Sequence, residues 1–173
     1  PAHETPEILR AELASAALQL HAMQIPGFAA LEWLDAPPAG AVEHAEELLR
    51  ALGALDGAGR ITPVGREMAR FPLHPRLARL VVEAARRGAG EDGCAAAAVL
   101  SAGERLPEEP PHASRSDVLV LMENRRLPHT GRILRQIRAA AGPHCRGRNE
   151  EALLMAVLAA FPDRVARRRP NGE

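Results

Sequence analysis

The chain has 173 residues, 22 basic and 22 acidic side chains, and a formal net charge of +0. That length suits one substantial domain or two small ones, and an apolar share of 46% is enough for a packed core. Balanced charge excludes a chain held along its whole length on polyanions. No apolar run approaches the ~18 residues a membrane span needs, and no basic segment followed by an apolar one opens the sequence.

Helical punctuation recurs in chain order. Thr5, Pro6 and Glu7 supply an N-cap, a first-turn proline and a favourable acid. Leu9, Leu13, Ala16, Ala17, Leu20 and Met23 then repeat every three to four residues, predicting a helix over about 6–24. After a Pro26-Gly27 loop, Asp35 is expected to cap the next helix, with Pro37 and Pro38 in its first turn. Its apolar stripe is Val42, Ala45, Leu48, Leu49 and Leu52, and Gly53 stops it.

The period changes over 54–62, where Leu55 and Ile61 flank a turn-rich Asp56-Gly57-Ala58-Gly59-Arg60 and predict a small β-hairpin. Thr62-Pro63 and His74-Pro75 each repeat the cap-plus-proline signal, starting helices that run to about Arg70 and Gly88. An Ala-rich helix over 91–102, a proline-rich loop over 104–114 and a short helix from Ser116 to about Glu123 follow. Thr130 is expected to cap a helix reaching Ala141, with Ile133, Leu134 and Ile137 inward. Asn149 is expected to cap a last one that Pro162 closes. The predicted class is all-α with one small hairpin: a winged-helix-like unit, then a helical bundle.

Much catalytic chemistry is missing. All basic residues are Arg, so no P-loop lysine exists to reach a nucleotide's phosphates. No D-E-x-H string and no G-x-S-x-G elbow is present. Adjacent His144 and Cys145 lack partners at metal-ligand spacing, and His74 before Pro75 reads as a cap. Cys94 and Cys145 form no disulfide framework and read as structural thiols of a reducing compartment, the cytosol. With Phe28, Trp33, Phe71 and Phe161 as the whole aromatic complement, base stacking has few platforms.

Charge is unevenly spread. Between Asn124 and Asn149 lie Arg125, Arg126, Arg132, Arg135, Arg138, Arg146 and Arg148, with no acid. Arg132, Arg135 and Arg138 recur every three residues on the side opposite Ile133, Leu134 and Ile137. A surface that tracks phosphates needs that arrangement, though a solvated face or one docked to an acidic protein surface would look the same. Arg164, Arg167, Arg168 and Arg169 form a second cluster, read chiefly as the approach to a further domain. Arg66 and Arg70 sit where a winged unit would carry its recognition helix.

Several strings resemble the helicase-associated region of DEAH/RHA-type helicases. Thr5-Pro6-Glu7-Ile8-Leu9-Arg10 is similar to the family's opening after its second motor domain. Asp35-Ala36-Pro37-Pro38 resembles its D-P-P-P segment, with Ala36 in place of one proline. Glu47-Leu48-Leu49-Arg50-Ala51-Leu52-Gly53-Ala54-Leu55-Asp56, Ile61-Thr62-Pro63-Val64-Gly65-Arg66 and Phe71-Pro72-Leu73-His74-Pro75-Arg76-Leu77 continue the match in register. Ile8-Leu9-Arg10 and the run from Phe161 to Arg169 resemble the HrpB-type branch.

The resemblance implies an N-terminal helix and linker (1–34), a winged-helix-like unit (35–75), a ratchet-like bundle (76–162) and the start of a further domain (163–173). It implies RecA-like motor domains in the same polypeptide as partners, with ATP and Mg²⁺ bound there and no cofactor in this segment. It also implies a single-stranded nucleic acid, expected to be RNA, along one wall of a channel. Arg132, Arg135, Arg138, Arg125 and Arg126 are the expected strand contacts, and Trp33 and Phe28 are candidates for the motor interface. The competing readings are a scaffold without nucleic-acid contact and a stand-alone winged-helix DNA-binding module. The start at Pro1 and the polar run after the last arginines suggest a segment of a longer chain, with no membrane association.

Overall fold

The computed structural model describes residues 12–106, 116–123 and 128–165, and among them the chain is helical. The α-helices are α1 (Ala14–Ala22), α2 (Ala39–Ala51), α3 (Pro63–Met68), α4 (Pro75–Arg86), α5 (Gly90–Ser101), α6 (Asp117–Glu123), α7 (Pro128–Ala141) and α8 (Glu150–Ala160). The first residues of the helix expected over 6–24 lie outside the described ones, as does most of the 104–114 loop. α4 and α5 form the centre. α3, α5 and α8 pack on α4, α6 and α7 on α5, and α1 and α2 on each other.

Small residues set the closeness of the central pair. The run from Cys94 to Val99 is buried throughout. A Cβ on Gly93 would lie 2.4 Å from the Ala84 Cβ, so only glycine allows that approach of α5 to α4. The largest core cluster draws Leu18, Leu49, Met68, Val81, Cys94 and Ile137 together, joining α1–α5 with α7. A second cluster of Leu80, Ala96, Leu119, Leu153 and Ala160 joins α4, α5, α6 and α8.

Three sequence caps form as expected. Thr62 Oγ1 accepts the Gly65 N–H at 3.0 Å and donates to the Gly53 carbonyl at 2.6 Å. His74 Nδ1 accepts the Arg76 N–H at 3.3 Å. Asn149 Oδ1 accepts the Ala152 N–H at 2.9 Å. Thr62→Ala removes both the cap and the tie to the end of α2, so it should cost about 1–2 kcal/mol. In urea unfolding this appears as a lower midpoint with an unchanged slope.

Two helix starts differ from expectation. α2 begins at Ala39 with Pro38, at φ −59° and ψ 131°, in the cap position. Successive prolines push Ala36 and Pro37 toward extended backbone, which carries Asp35 away from the helix end. α7 begins at Pro128, so Thr130 lies inside its first turn, buried, and its hydroxyl donates to Glu104 Oε1 at 2.5 Å.

The expected hairpin is reduced to one antiparallel bridge between Leu55 and Ile61. Asp56 organises the turn by accepting the Ala58 and Arg60 N–H groups, each at 2.9 Å, and Gly59 takes a positive φ of 75°. Helix ends claim the backbone on either side. Ala54 N–H donates to the Leu49 carbonyl at the close of α2. Although Thr62 N–H still reaches the Ala54 carbonyl across the bridge at 2.9 Å, the Thr62 carbonyl and side chain are already committed to α3. No residues remain to extend the ladder.

Arg76 at the start of α4 clasps the end of α8. Its Nη1 and Nη2 donate to the two Asp163 carboxylate oxygens at 2.6 and 2.9 Å, and Nη1 also reaches the Ala160 carbonyl at 3.3 Å. Its guanidinium stands 5.5 Å from the Phe161 ring centroid, as does that of Arg164. A cation is well placed against the free carbonyls of a helix C-terminus. The Arg76 pair holds the Asp163 carboxyl below its ordinary value.

Candidate nucleic-acid interface

α7 is amphipathic because its apolar residues recur at helical spacing. Leu134, Ile137 and Ala141 are buried against the core, with Ile133 and Ala140 packed beside them. Arg132, Arg135 and Arg138 are exposed on the outer side. A three-residue step rotates about 60° short of a full turn, so the three do not form one straight row. By Arg138 the row has rolled to the edge facing α5, where Arg138 Nη2 donates to Glu91 Oε1. Burial pushes the Glu91 carboxyl up, but Arg138, with the Cys145 thiol and Arg148, outweighs it and leaves the group below its ordinary value. Arg138 is thus committed to an intramolecular pair, while Arg132 and Arg135 project into solvent. Arg125 and Arg126 lie outside the described residues.

Both ends of α7 are pinned. At its start, His129 Nε2 lies 3.2 Å from the Ala102 carbonyl, and Thr130 bonds Glu104. Those contacts bring exposed Arg105, the neighbour of Glu104, to the same end of the helix. Arg105 went unnoticed in the sequence because its proximity to α7 is set by the path of a loop rather than by periodicity. At the other end, Arg70 Nη2 donates to the Ala140 carbonyl at 3.4 Å. Arg70 therefore serves the C-terminus of α7, while Arg66 stays exposed on α3. Arg146 and Arg148, in the loop after α7, are exposed as well, with Arg148 Nη2 4.0 Å from Glu91. The outcome is a basic ridge of Arg132 and Arg135, flanked by Arg105 at one end and by Arg146 and Arg148 near the other. Long-range hydrogen bonds hold it in place, and its spread of positive charge suits successive phosphates along a strand.

The remaining candidates separate. Phe28 is buried in the main core, which corrects its expected exposure. Its ring lies 5.7 Å from that of Trp33, whose Nε1 donates to the Phe28 carbonyl at 2.8 Å. That bond holds Trp33 at 37% exposure and leaves Leu34 wholly open to solvent. A second open apolar patch is formed by Leu154, Met155 and Leu158 on α8. Of the C-terminal arginines only Arg164 falls among the described residues, against Phe161. No group of three or more His, Cys, Asp or Glu side chains among the described residues could hold a metal ion. No described helix is long and apolar enough to cross a membrane.

Residues 45–73 match the winged-helix part of the helicase associated domain (HA2) family. The chain is 34% identical over 97% of its length to the ATP-dependent RNA helicase HrpB of Escherichia coli, of which it covers 20%. Similarity to the ATP-dependent RNA helicase HrpA of the same organism is 39% over 51% of the chain and 7% of that protein. For the pre-mRNA-splicing factor ATP-dependent RNA helicase prp22 of Schizosaccharomyces pombe, the figures are 38%, 56% and 8%. The crystal structure of E. coli HrpB superposes with a TM-score of 0.76 at 31% identity, over 97% of this chain and 20% of that one. The chain thus spans about a fifth of the length of its HrpB relative.

Proposed function

We propose, from a chain similar over nearly its whole length to the RNA helicase HrpB and over residues 45–73 to the helicase associated domain's winged helix, that it serves as the accessory wall of an RNA helicase's single-strand channel. Residues 35–75 act as a winged-helix-like hub and α4–α8 as the ratchet-like bundle. The motor domains of the parent polypeptide supply ATP hydrolysis, and the chain's lack of any lysine is consistent with that division. Motor closure draws the strand along the ridge. Contacts there are to phosphates, so the strand's sequence matters little.

The observation that carries this reading is the fixed, outward pair Arg132 and Arg135 on a helix whose other face is core. Arginine is suited to the task, since its planar fork can hold two phosphate oxygens at once. Two residues on one short ridge span few nucleotides, which fits a guiding contact rather than a high-affinity site.

The test is RNA-stimulated ATP hydrolysis in the full-length parent helicase. Arg132→Ala with Arg135→Ala should raise the RNA concentration for half-maximal stimulation by about tenfold at moderate salt. An unchanged RNA requirement favours the second reading, a scaffold that docks motor domains without touching the strand. The open apolar side chains Trp33, Leu34, Leu154, Met155 and Leu158 favour some such docking in either case.

A further inference from the structure

The chain's two cysteines meet where the loop after α7 crosses the start of α5. Cys94 Sγ and Cys145 Sγ lie 2.8 Å apart. That is nearer than the ~3.5–4.0 Å at which even non-bonded carbons rest. The sulfurs come from residues 51 positions apart, on two different elements. Cys145 Sγ also lies 3.8 Å from the Gly90 carbonyl and 3.5 Å from Glu91 Oε2, and three hydrogen bonds from backbone N–H groups tie the loop to α5. Gly90 N–H donates to the Arg146 carbonyl at 2.8 Å and Glu91 N–H to the Gly147 carbonyl at 3.1 Å. Asn149 N–H donates to Asp92 Oδ2 at 2.9 Å. Cys94 is buried in the core, whereas Cys145 is only partly covered.

We propose that Cys94 and Cys145 close a reversible disulfide that locks the α7–α8 loop onto α5, and with it the C-terminal end of the basic helix. An approach of about 0.8 Å brings the sulfurs to the ~2.05 Å of a disulfide bond. The proposal rests on this geometry and is independent of the helicase reading. It revises the expectation that both residues are inert thiols.

The oxidant is a small-molecule disulfide. Cys145, the more accessible thiol, loses its proton to solvent, and its thiolate attacks one sulfur of the oxidant. The oxidant's S–S bond breaks, and one half departs as a thiolate that takes up a proton. The other half is left joined to Cys145. Cys94 then gives up its proton and attacks Cys145 Sγ, expelling the second half as a thiol. Two cysteine thiols are oxidised by two electrons, and one oxidant disulfide is reduced to two thiols. Excess small thiol runs the sequence backward. Burial raises both cysteines above the ordinary thiol value, so closure should be slow at neutral pH and quicken as pH rises.

The native chain is equilibrated with oxidised glutathione, then with dithiothreitol, and followed by intact mass and thiol titration. The expected product is a monomer lighter by two hydrogens with no titratable thiol, and both thiols return on reduction. Its Tm should exceed that of the reduced form by about 5–10 °C. Cys94→Ser should instead accumulate a glutathione adduct on Cys145, because the resolving thiol is gone. The proposal is overturned if the native chain keeps both thiols, stops at the Cys145 adduct, or cross-links to a second chain. A disulfide that leaves Tm unchanged would contradict the locking role.

Discussion

Leu153→Ala is expected to destabilise the fold by about 3–4 kcal/mol, lowering Tm by about 10 °C. Leu153 is fully buried on α8 and shares its cluster with Leu80, Ala96, Leu119 and Ala160. The cost has two parts, lost transfer free energy and the cavity left behind. The cavity part sets the spread: Ala96 and Ala160 have no freedom to swing into the gap, whereas Leu119 and the partly buried Met122 can shift only in part. Collapse would require α8 to move toward α4, and the Arg76–Asp163 clasp resists that at the far end of the helix. The prediction is checked by thermal and urea unfolding of the variant. A loss below about 1 kcal/mol would mean that α8 is not packed as described.

Gly90→Ala should cost about 2–3 kcal/mol even though alanine is the better helix former. A Cβ at this position would lie 2.1 Å from the His144 carbonyl oxygen and 2.9 Å from both the nitrogen and the oxygen of Arg146. These are backbone atoms, so no side-chain rotation relieves the clash. The α7–α8 loop must withdraw, breaking the Gly90–Arg146 and Glu91–Gly147 hydrogen bonds. Each bond is worth about 1 kcal/mol net, and more where a donor is left buried and unpaired. Against this stands a gain of only about 0.5–1 kcal/mol from replacing glycine inside a helix. Hydrogen exchange provides the check: protection at Gly147 and nearby loop amides should fall while that of α4 persists. Gly88→Ala, at φ +78° but with nothing within 4 Å of its Cβ, separates backbone strain from steric eviction. It should cost less and leave the loop protected.

These sites show which parts of the fold were legible in the sequence. Caps at Thr62, His74 and Asn149 were readable because each is a short-range bargain between a side chain and an N–H two or three residues on. Helix identity followed from periodicity, and the apolar side of α7 named its own core residues. Contacts across the chain were not readable. Arg138 looked free until α5 brought Glu91 beside it, 47 residues away in sequence. The cysteine pair, Gly90 and Gly147 owe their roles to a loop crossing a helix start, which no local pattern encodes. Phe28 turned inward for the same reason, since a loop aromatic carries no period to say which way it faces. At the hairpin, the turn at Asp56 was legible, but the competing demands of α2 and α3 on the flanking backbone are set by how those helices end and begin. Of the five expected strand contacts, Arg132 and Arg135 are exposed as anticipated, Arg138 is engaged, and Arg125 and Arg126 fall outside the described residues.

The central claim is that α7 offers its outer arginines to the phosphates of a single strand. It is tested most directly by fluorescence polarisation of this chain with a labelled single-stranded RNA of mixed sequence across a salt series. The account predicts weak, sequence-tolerant binding with a log–log salt slope of about −2 to −3, the value for three to four neutralised phosphates. Arg132→Ala with Arg135→Ala, a variant expected to stay folded because both side chains are exposed, should lower that slope by about 1.4. Binding absent even at low salt, or a slope untouched by the double substitution, would contradict the assignment of the strand to this helix.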